Sequence, residues 1–351
     1  MKIFQYVDFF SDGDGIGNDI KGFRNIFDEL GIPSHIIARI NHSELKDVKP
    51  LNHSVSLKKD DIHILHYGGA GFPYNYYDSL IGKKIIRFHN LTPVNFFKNT
   101  LSEELYSSLK KNELISIIEL ESYDRQGNVF LHPSKFNYKS MYRLLNRKIN
   151  SNNNIIPILK DYSFKSKSIK IKNQICYVGR IVPNKKIEHF IFLMFYLKKI
   201  STTYKLLLIG KVNPVFQDYY KDIIQLIDDL ELKDSIHIFH DLDDKEVDEK
   251  TSASELFVSM SEHEGFGIPI LDAIANHTLV FAFYSSAIIE IMLDSGIYFY
   301  NKNFPEIAKT IHELLNNSTD LDLQIQKQKD RLSYFQNYPF LEKISALVNS
   351  V

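Results

Sequence analysis

The chain has 351 residues, of which 44% are hydrophobic and 24% charged, enough for about two globular domains with separate cores. A formal net charge of −1 gives no bulk attraction for nucleic acid, which is therefore not an expected partner. The single cysteine, Cys176, excludes an intramolecular disulfide, and its apolar setting Ile175-Cys176-Tyr177-Val178 is that of a core thiol.

The opening segment Met1–Val7 reads as a strand, without the long apolar core or small-residue cleavage site of a signal peptide. The longest apolar run, Phe190 to Leu197, falls far short of the roughly 20 residues of a membrane span. A cytoplasmic location, or a peripheral one on the cytoplasmic face of the inner membrane, is expected. Short apolar runs alternate with longer helical patterns along the whole chain. Strands are expected at Ile3–Val7, Ile36–Arg39, Ile62–His66, Lys84–Phe88, Ile115–Leu120 and Ile155–Ile158. More follow at Ile175–Val178, Lys205–Ile209, Ile236–Phe239, Leu256–Ser259 and Leu279–Phe283. Such alternation implies an α/β protein with parallel sheets and helices on both faces. Residues 1–160 form the first expected domain, 161–173 a Lys- and Ser-rich linker, and 174–335 the second domain.

Several glycine or cation loops follow expected strands, at the ends where α/β sheets bind ligands. The first is Ser11-Asp12-Gly13-Asp14-Gly15-Ile16-Gly17-Asn18-Asp19, amide-rich and suited to a phosphate. Asn18 or Asp19 is expected to cap a helix reaching Leu30, with Gly31 as its stop. The spacing is not GxGxxG, which disfavours a dehydrogenase. In Ile85-Ile86-Arg87-Phe88-His89-Asn90-Leu91-Thr92-Pro93, His89 stands directly after a strand. In Cys176-Tyr177-Val178-Gly179-Arg180, followed by Lys185, fixed positive charge reaches a strand end and fits diphosphate oxygens. Asp241 to Glu246 is an acidic turn after another strand. The most informative stretch is Ser261-Glu262-His263-Glu264-Gly265-Phe266-Gly267-Ile268-Pro269-Ile270-Leu271-Asp272. It reads as a glycine turn from a buried strand into a helix, with Pro269 in the first helical turn and a carboxylate on either side. Free amides there suit phosphate, and the carboxylates of Glu264 and Asp272 suit hydroxyl groups.

That stretch resembles the signature of the retaining glycosyltransferases of family 4, which have the GT-B fold. Two glutamates flank seven residues in that family; here Glu264 supplies the first and Asp272 stands at the second. The segments around Gly15 and Gly17, His89-Asn90-Leu91-Thr92-Pro93, Gly179-Arg180 to Lys185, and Tyr284-Ser285-Ser286 to Glu290 resemble other motifs of the family in the same order. The resemblance implies two Rossmann-like domains facing across a donor cleft, with a terminal helix at about 336–351 returning to the first. It implies transfer of a hexose from a nucleotide diphosphate sugar to a hydroxyl, with retention at the anomeric carbon. Arg180, Lys185 and the turn Gly265-Phe266-Gly267 would hold the diphosphate, His89 and Glu264 the sugar, and Asp272 the ribose. The nucleotide sugar is a substrate, and neither a cofactor nor a catalytic metal is implied. The closest phrases resemble bacterial mannosyl-type enzymes of O-antigen and capsule assembly. They imply GDP-mannose as donor, with a UDP-hexose as alternative, and a glycan or lipid-linked glycan as acceptor. Asp272 alone suggests a different class, a non-catalytic donor-binding partner in an assembly complex. Finally, Lys135, Lys139, Arg143, Arg147 and Lys148 mix with Phe136, Tyr138, Met141 and Tyr142, a composition that suits an anionic membrane surface.

Overall fold

The computed structural model describes residues 1–52, 56–146, 153–316 and 318–351. They form two compact units, one of Met1–Pro93, Ser107–Asp161 and Tyr338–Val351, the other of Val94–Tyr106 and Tyr162–Asn337.

The first unit is built on β1 (Ile3–Ser11), β2 (Ser34–His42), β3 (Lys49–Pro50), β4 (Ile62–Tyr67), β5 (Lys83–Phe88), β6 (Val129–His132) and β7 (Asn153–Ile155). Their order is β3-β2-β1-β4-β5-β6-β7, and every pairing is parallel. All six residues of β4 and the last four of β5 are buried. Burial along nearly their whole length marks strands covered on both faces, although it includes the polar His63, His66 and Arg87. The connecting helices are α1 (Gly15–Glu29), α2 (Tyr74–Asp78), α3 (Glu103–Arg125, which belongs to this unit from Ser107 onward) and α4 (Lys135–Leu144).

The second unit holds β8 (Ile171–Val178), β9 (Lys205–Ile209), β10 (Ile236–Phe239), β11 (Ser254–Ser259), β12 (Leu279–Phe283) and β13 (Ile297–Phe299). Their order is β10-β9-β8-β11-β12-β13, again parallel throughout. Its helices are α5 (Ile187–Ile200), α6 (Gln217–Asp229), α7 (Asp244–Ala253), α8 (Ile268–Ala275), α9 (Ile288–Met292), α10 (Phe304–Asn316) and α11 (Ser318–Gln336). The last helix, α12 (Phe340–Ser350), belongs to the first unit, where Ile344, Leu347 and Val348 share a core cluster with Ile3, Phe23, Phe27 and Ile62.

Several expectations need correction. Ile115–Leu120 is not a strand but the middle of α3. The strand expected at Ile155–Ile158 lies earlier, at Asn153–Ile155. Strands β3, β6 and β13, of two to four residues, carry too short an apolar signal to have been found. Helix α1 starts ahead of Asn18 and Asp19, and its cap is Asp14, whose Oδ1 accepts from the Gly17 N–H at 2.6 Å. The segment 161–173 is not a free linker. Lys165 N–H donates to the Ala275 carbonyl, Ser168 N–H to Ser252 Oγ, and residues from Ile171 onward are already in β8. Val94–Tyr106 cluster with the second unit rather than with the residues on either side. Phe96 meets His263 at 5.8 Å between ring centroids, and Phe97 meets Phe216 at 5.0 Å. The acidic turn at Asp241–Glu246 contains a helix start. Asp243 and Glu246 close a capping box on α7, each side chain accepting the other's backbone N–H.

In both sheets chain order reverses beside a central strand: β1 lies between β2 and β4, and β8 between β9 and β11. The loops that leave such a pair diverge and open a crevice at the carboxyl ends. The motifs singled out in the sequence follow β1, β5, β8 and β11.

Candidate functional site

In the second unit, the reversal between β8 and β11 brings two distant loops together. Gly179 and Arg180 leave β8, and a 3-10 turn at Pro183–Lys185 follows. Ser261 to Gly267 leave β11. Glu262 N–H donates to the Asn184 carbonyl at 3.0 Å, and Asn184 Nδ2 donates to the His263 carbonyl at 3.1 Å. Lys185 Nζ donates to the same carbonyl at 3.4 Å and forms an ion pair with Glu264 Oε1. Burial lowers the Lys185 pKa from its ordinary value, and Glu264 opposes that fall. The Arg180 guanidinium is exposed, and its charge pushes the Lys185 pKa further down. The pair Lys185–Glu264 thus has an exposed cation as neighbour. Two residues beside it adopt the left-handed region that side chains avoid, Lys186 at φ 55° and Ser286 at φ 48°. Ser286 Oγ accepts the Glu264 N–H at 2.9 Å, so the strained residue fixes the carboxylate-bearing loop.

Beyond Glu264 the turn Gly265-Phe266-Gly267 runs into α8. Gly267 is the N-cap with φ 100° and ψ 41°, a conformation glycine adopts without steric cost. Phe266 is buried and meets Phe335 edge-on at 5.9 Å. Because α8 starts at Ile268, Pro269 is its second residue and Asp272 its fifth, half-buried, one residue further in than a start at Pro269 implies. Behind this loop lies a cluster the sequence did not reveal. Lys302 Nζ donates to the Met260 carbonyl and to His189 Nδ1, each at 2.9 Å, and lies 3.6 Å from Glu262 Oε1. Burial pulls Lys302 down to about 8 and His189 to about 3.

In the first unit, His89 follows β5 with its N–H donated to the Tyr67 carbonyl at 2.8 Å. Its Nε2 lies 3.1 Å from His66 Nδ1 and 3.5 Å from Asp19 Oδ2. Asp19 is fully buried and takes two bonds from the equally buried Arg87, at 2.7 and 3.1 Å, and one from the Leu159 N–H at 2.8 Å. Arg87 also donates to the carbonyls of Ile156 and Pro157. Ligand atoms of Asp19, His66 and His89 lie within 4.8 Å of one another, a spacing that a metal ion could use. The chemistry opposes it, since both Asp19 oxygens already accept from a guanidinium whose charge would repel a cation. Gly15 and Gly17 lie in the first turn of α1, not in an open loop. A Cβ on Gly17 would stand 2.0 Å from the Ser11 carbonyl oxygen, so close packing on β1 requires glycine there. The Asp14 carboxylate already occupies this helix end. Arg87 offered the one sequence signal for the network, a charge inside an apolar strand. Asp19 and His66 gave none.

Two Rossmann-like units of parallel sheet, each with a reversal of strand order beside a central strand, define the GT-B fold. Residues 160–331 match the family model described as glycosyl transferases group 1. The O-antigen chain mannosyltransferase RfbU of Salmonella typhimurium is 29% identical over 169 residues, 48% of this chain and 42% of that protein. Anabaena HepE in complex with UDP and glucose superposes with a TM-score of 0.74 at 14% identity, over the whole of both chains. S. aureus TarM superposes with a TM-score of 0.64 at 18% identity, over 83% of this chain and 56% of that one. The chain thus spans well under two thirds of the length of RfbU and of TarM.

Proposed function

We propose that the protein is a retaining glycosyltransferase that moves a hexose from a nucleotide diphosphate sugar to a hydroxyl of a growing surface glycan. The supporting observation is the loop pair of the second unit. Lys185 and exposed Arg180 stand beside a carboxylate and a helix start at the reversal of its sheet. Arg180, Lys185 and the amides of Gly265–Gly267 take the diphosphate and stabilise the charge that builds as it leaves. Glu264 and His89 take sugar hydroxyls, and Asp272 takes the ribose. The glycosidic electron pair departs with the phosphate oxygen, the acceptor oxygen bonds to the anomeric carbon from the same face, and the phosphate receives its proton. The charge is balanced by side chains, so the reading calls for no cofactor or catalytic metal. The likeness to RfbU supports a mannose donor with GDP, and an O-antigen or other lipid-linked glycan as acceptor.

Arg180 has no structural partner among the described residues. Its replacement by alanine should therefore weaken nucleotide diphosphate binding by about tenfold or more, with an unchanged melting temperature. Adding Lys185→Ala should deepen the loss. Equal affinity in wild type and double variant would overturn the phosphate site. Incubation with GDP-mannose and UDP-hexoses, with the anomeric configuration of the product read by NMR, separates the donors. It also separates an enzyme from a partner that only binds the donor.

A further inference from the structure

The network behind His89 fixes more than the position of the ring. Gln5, the third residue of β1, is fully buried, and its Nε2 donates to the Ile20 carbonyl at 3.2 Å. A carbonyl can only accept, so that contact decides which way the amide points. Gln5 Oε1 is then the atom that faces His66 Nε2, at 3.0 Å. His66 must carry its proton on Nε2. A neutral imidazole has one donor and one acceptor, so His66 Nδ1 is a bare acceptor. The atom 3.1 Å away, His89 Nε2, must then be the donor, and the Asp19 Oδ2 charge 3.5 Å behind it favours a proton on that nitrogen. Burial and the nearby Arg87 charge hold both imidazoles neutral by lowering their pKa values far below the ordinary one. His89 Nδ1 is left with its lone pair, and no described residue engages it.

We propose that Gln5, His66 and Asp19 are positioning residues that hold His89 as the Nε2–H tautomer, so that Nδ1 is presented as a hydrogen-bond acceptor to a substrate hydroxyl. The role of the hydroxyl rests on the glycosyltransferase reading, whereas the tautomer does not. The arrangement also gives a reason for burying an ion pair. Asp19 and Arg87 cancel one another's charge, so a carboxylate stands behind two imidazoles without protonating either. A ring with the opposite tautomer would turn an N–H to the substrate and discriminate against a donating hydroxyl.

The test uses the full-length protein labelled with 15N-histidine and two-bond 1H–15N correlation spectra, in which a bare and a protonated ring nitrogen are told apart. Wild type should show His89 protonated at Nε2 and bare at Nδ1; the reverse pattern would overturn the proposal even if no variant folded. Gln5→Met removes the acceptor but keeps the volume, and should give a mixture of tautomers at His66 and His89. Gln5→Glu, which in its acid form donates to Ile20 and accepts from His66, should restore the wild-type pattern. With a nucleotide sugar that is turned over, Gln5→Met should lower kcat by about tenfold, the factor of one ordinary hydrogen bond, with affinity for free nucleotide unchanged. Gln5→Glu should recover most of the loss. A wild-type spectrum with no turnover of any nucleotide sugar would count against the enzyme reading and leave the relay standing. A mixed tautomer in Gln5→Met with unchanged kcat would overturn the substrate contact of Nδ1.

Discussion

At the scale of single residues, Asp272 is where the sequence leaves the family pattern, and the structure changes what that departure means. A carboxylate in the first turn of a helix is stabilised by the dipole, an effect that dies away within that turn. Asp272 is the fifth residue of α8, just past that first turn, where the dipole contributes less. A role on the ribose gains by the difference. Asp272→Asn should raise the KM for the donor by about tenfold, since a hydrogen bond to a charged group contributes roughly 1.5–3 kcal/mol. Ribose and 2′-deoxyribose forms of the nucleotide should bind wild type with different affinity and the variant with similar affinity. If wild type binds both alike, Asp272 does not hold the 2′-hydroxyl. Residues such as Glu264 and Lys185 were legible because each follows a strand within a few positions. The chain Gln5–His66–His89 was not, because its bonds join residues 61 and 23 apart, and nothing local marks a glutamine or histidine as half of a buried pair.

At the scale of elements, legibility followed burial. Strands with unbroken apolar runs, such as β12 at Leu279–Phe283, stand where the sequence places them. The error at Ile115–Leu120 has a physical cause: Leu114, Ile115 and Ile118 are exposed on α3, so apolar residues occupy the face where polar ones would have shown a helical period. The membrane reading of residues 135–148 can likewise be placed on α4, although Arg147 and Lys148 lie outside the described residues. Lys135, Lys139, Arg143 and Tyr142 are exposed, while Met141 is buried and Tyr138 packs edge-on against His132 at 5.6 Å. Tyr138 and Met141 are thus spent on the core, and the exposed face is basic with Tyr142 as its one exposed aromatic residue. Charge, not insertion, should carry any attachment. Co-sedimentation with anionic vesicles should be seen at low salt, be lost near 0.5 M salt where the Debye length is only about 4 Å, and be weakened by Lys135→Ala with Arg143→Ala. Binding that survives high salt would place the contact elsewhere. No helix among the described residues is long and apolar enough to cross a membrane.

At the scale of the whole molecule, the chain passes between the two units four times, at 93–94, 106–107, 161–162 and 337–338. Neither unit is a continuous piece of sequence, and no cut at the expected linker would release two complete cores. The strongest consequence concerns α12. Ile344, Leu347 and Val348 are at most 6% exposed in a cluster with β1, β4 and α1 of the first unit. Burying each such side chain contributes roughly 1.5–3 kcal/mol, so their loss together removes roughly 5–9 kcal/mol. That is comparable to the whole stability of an ordinary domain, about 5–15 kcal/mol. A chain ending at Asn337 should thus lose the first unit while keeping the second, whose sheet contains none of the deleted residues. Cys176 provides a reporter confined to that second unit. It is fully buried in β8, and burial pushes its thiol up to about 12, so native protein should not react with a thiol reagent. In the truncated chain the circular dichroism of the first unit should be reduced and its melting transition missing. Cys176 should stay unreactive until the second unit melts, and nucleotide diphosphate should still raise that second transition. Rapid labelling of Cys176 in the truncated chain would show instead that the two units fold as one, and a full-length melting profile would show that α12 adds little to the core it enters.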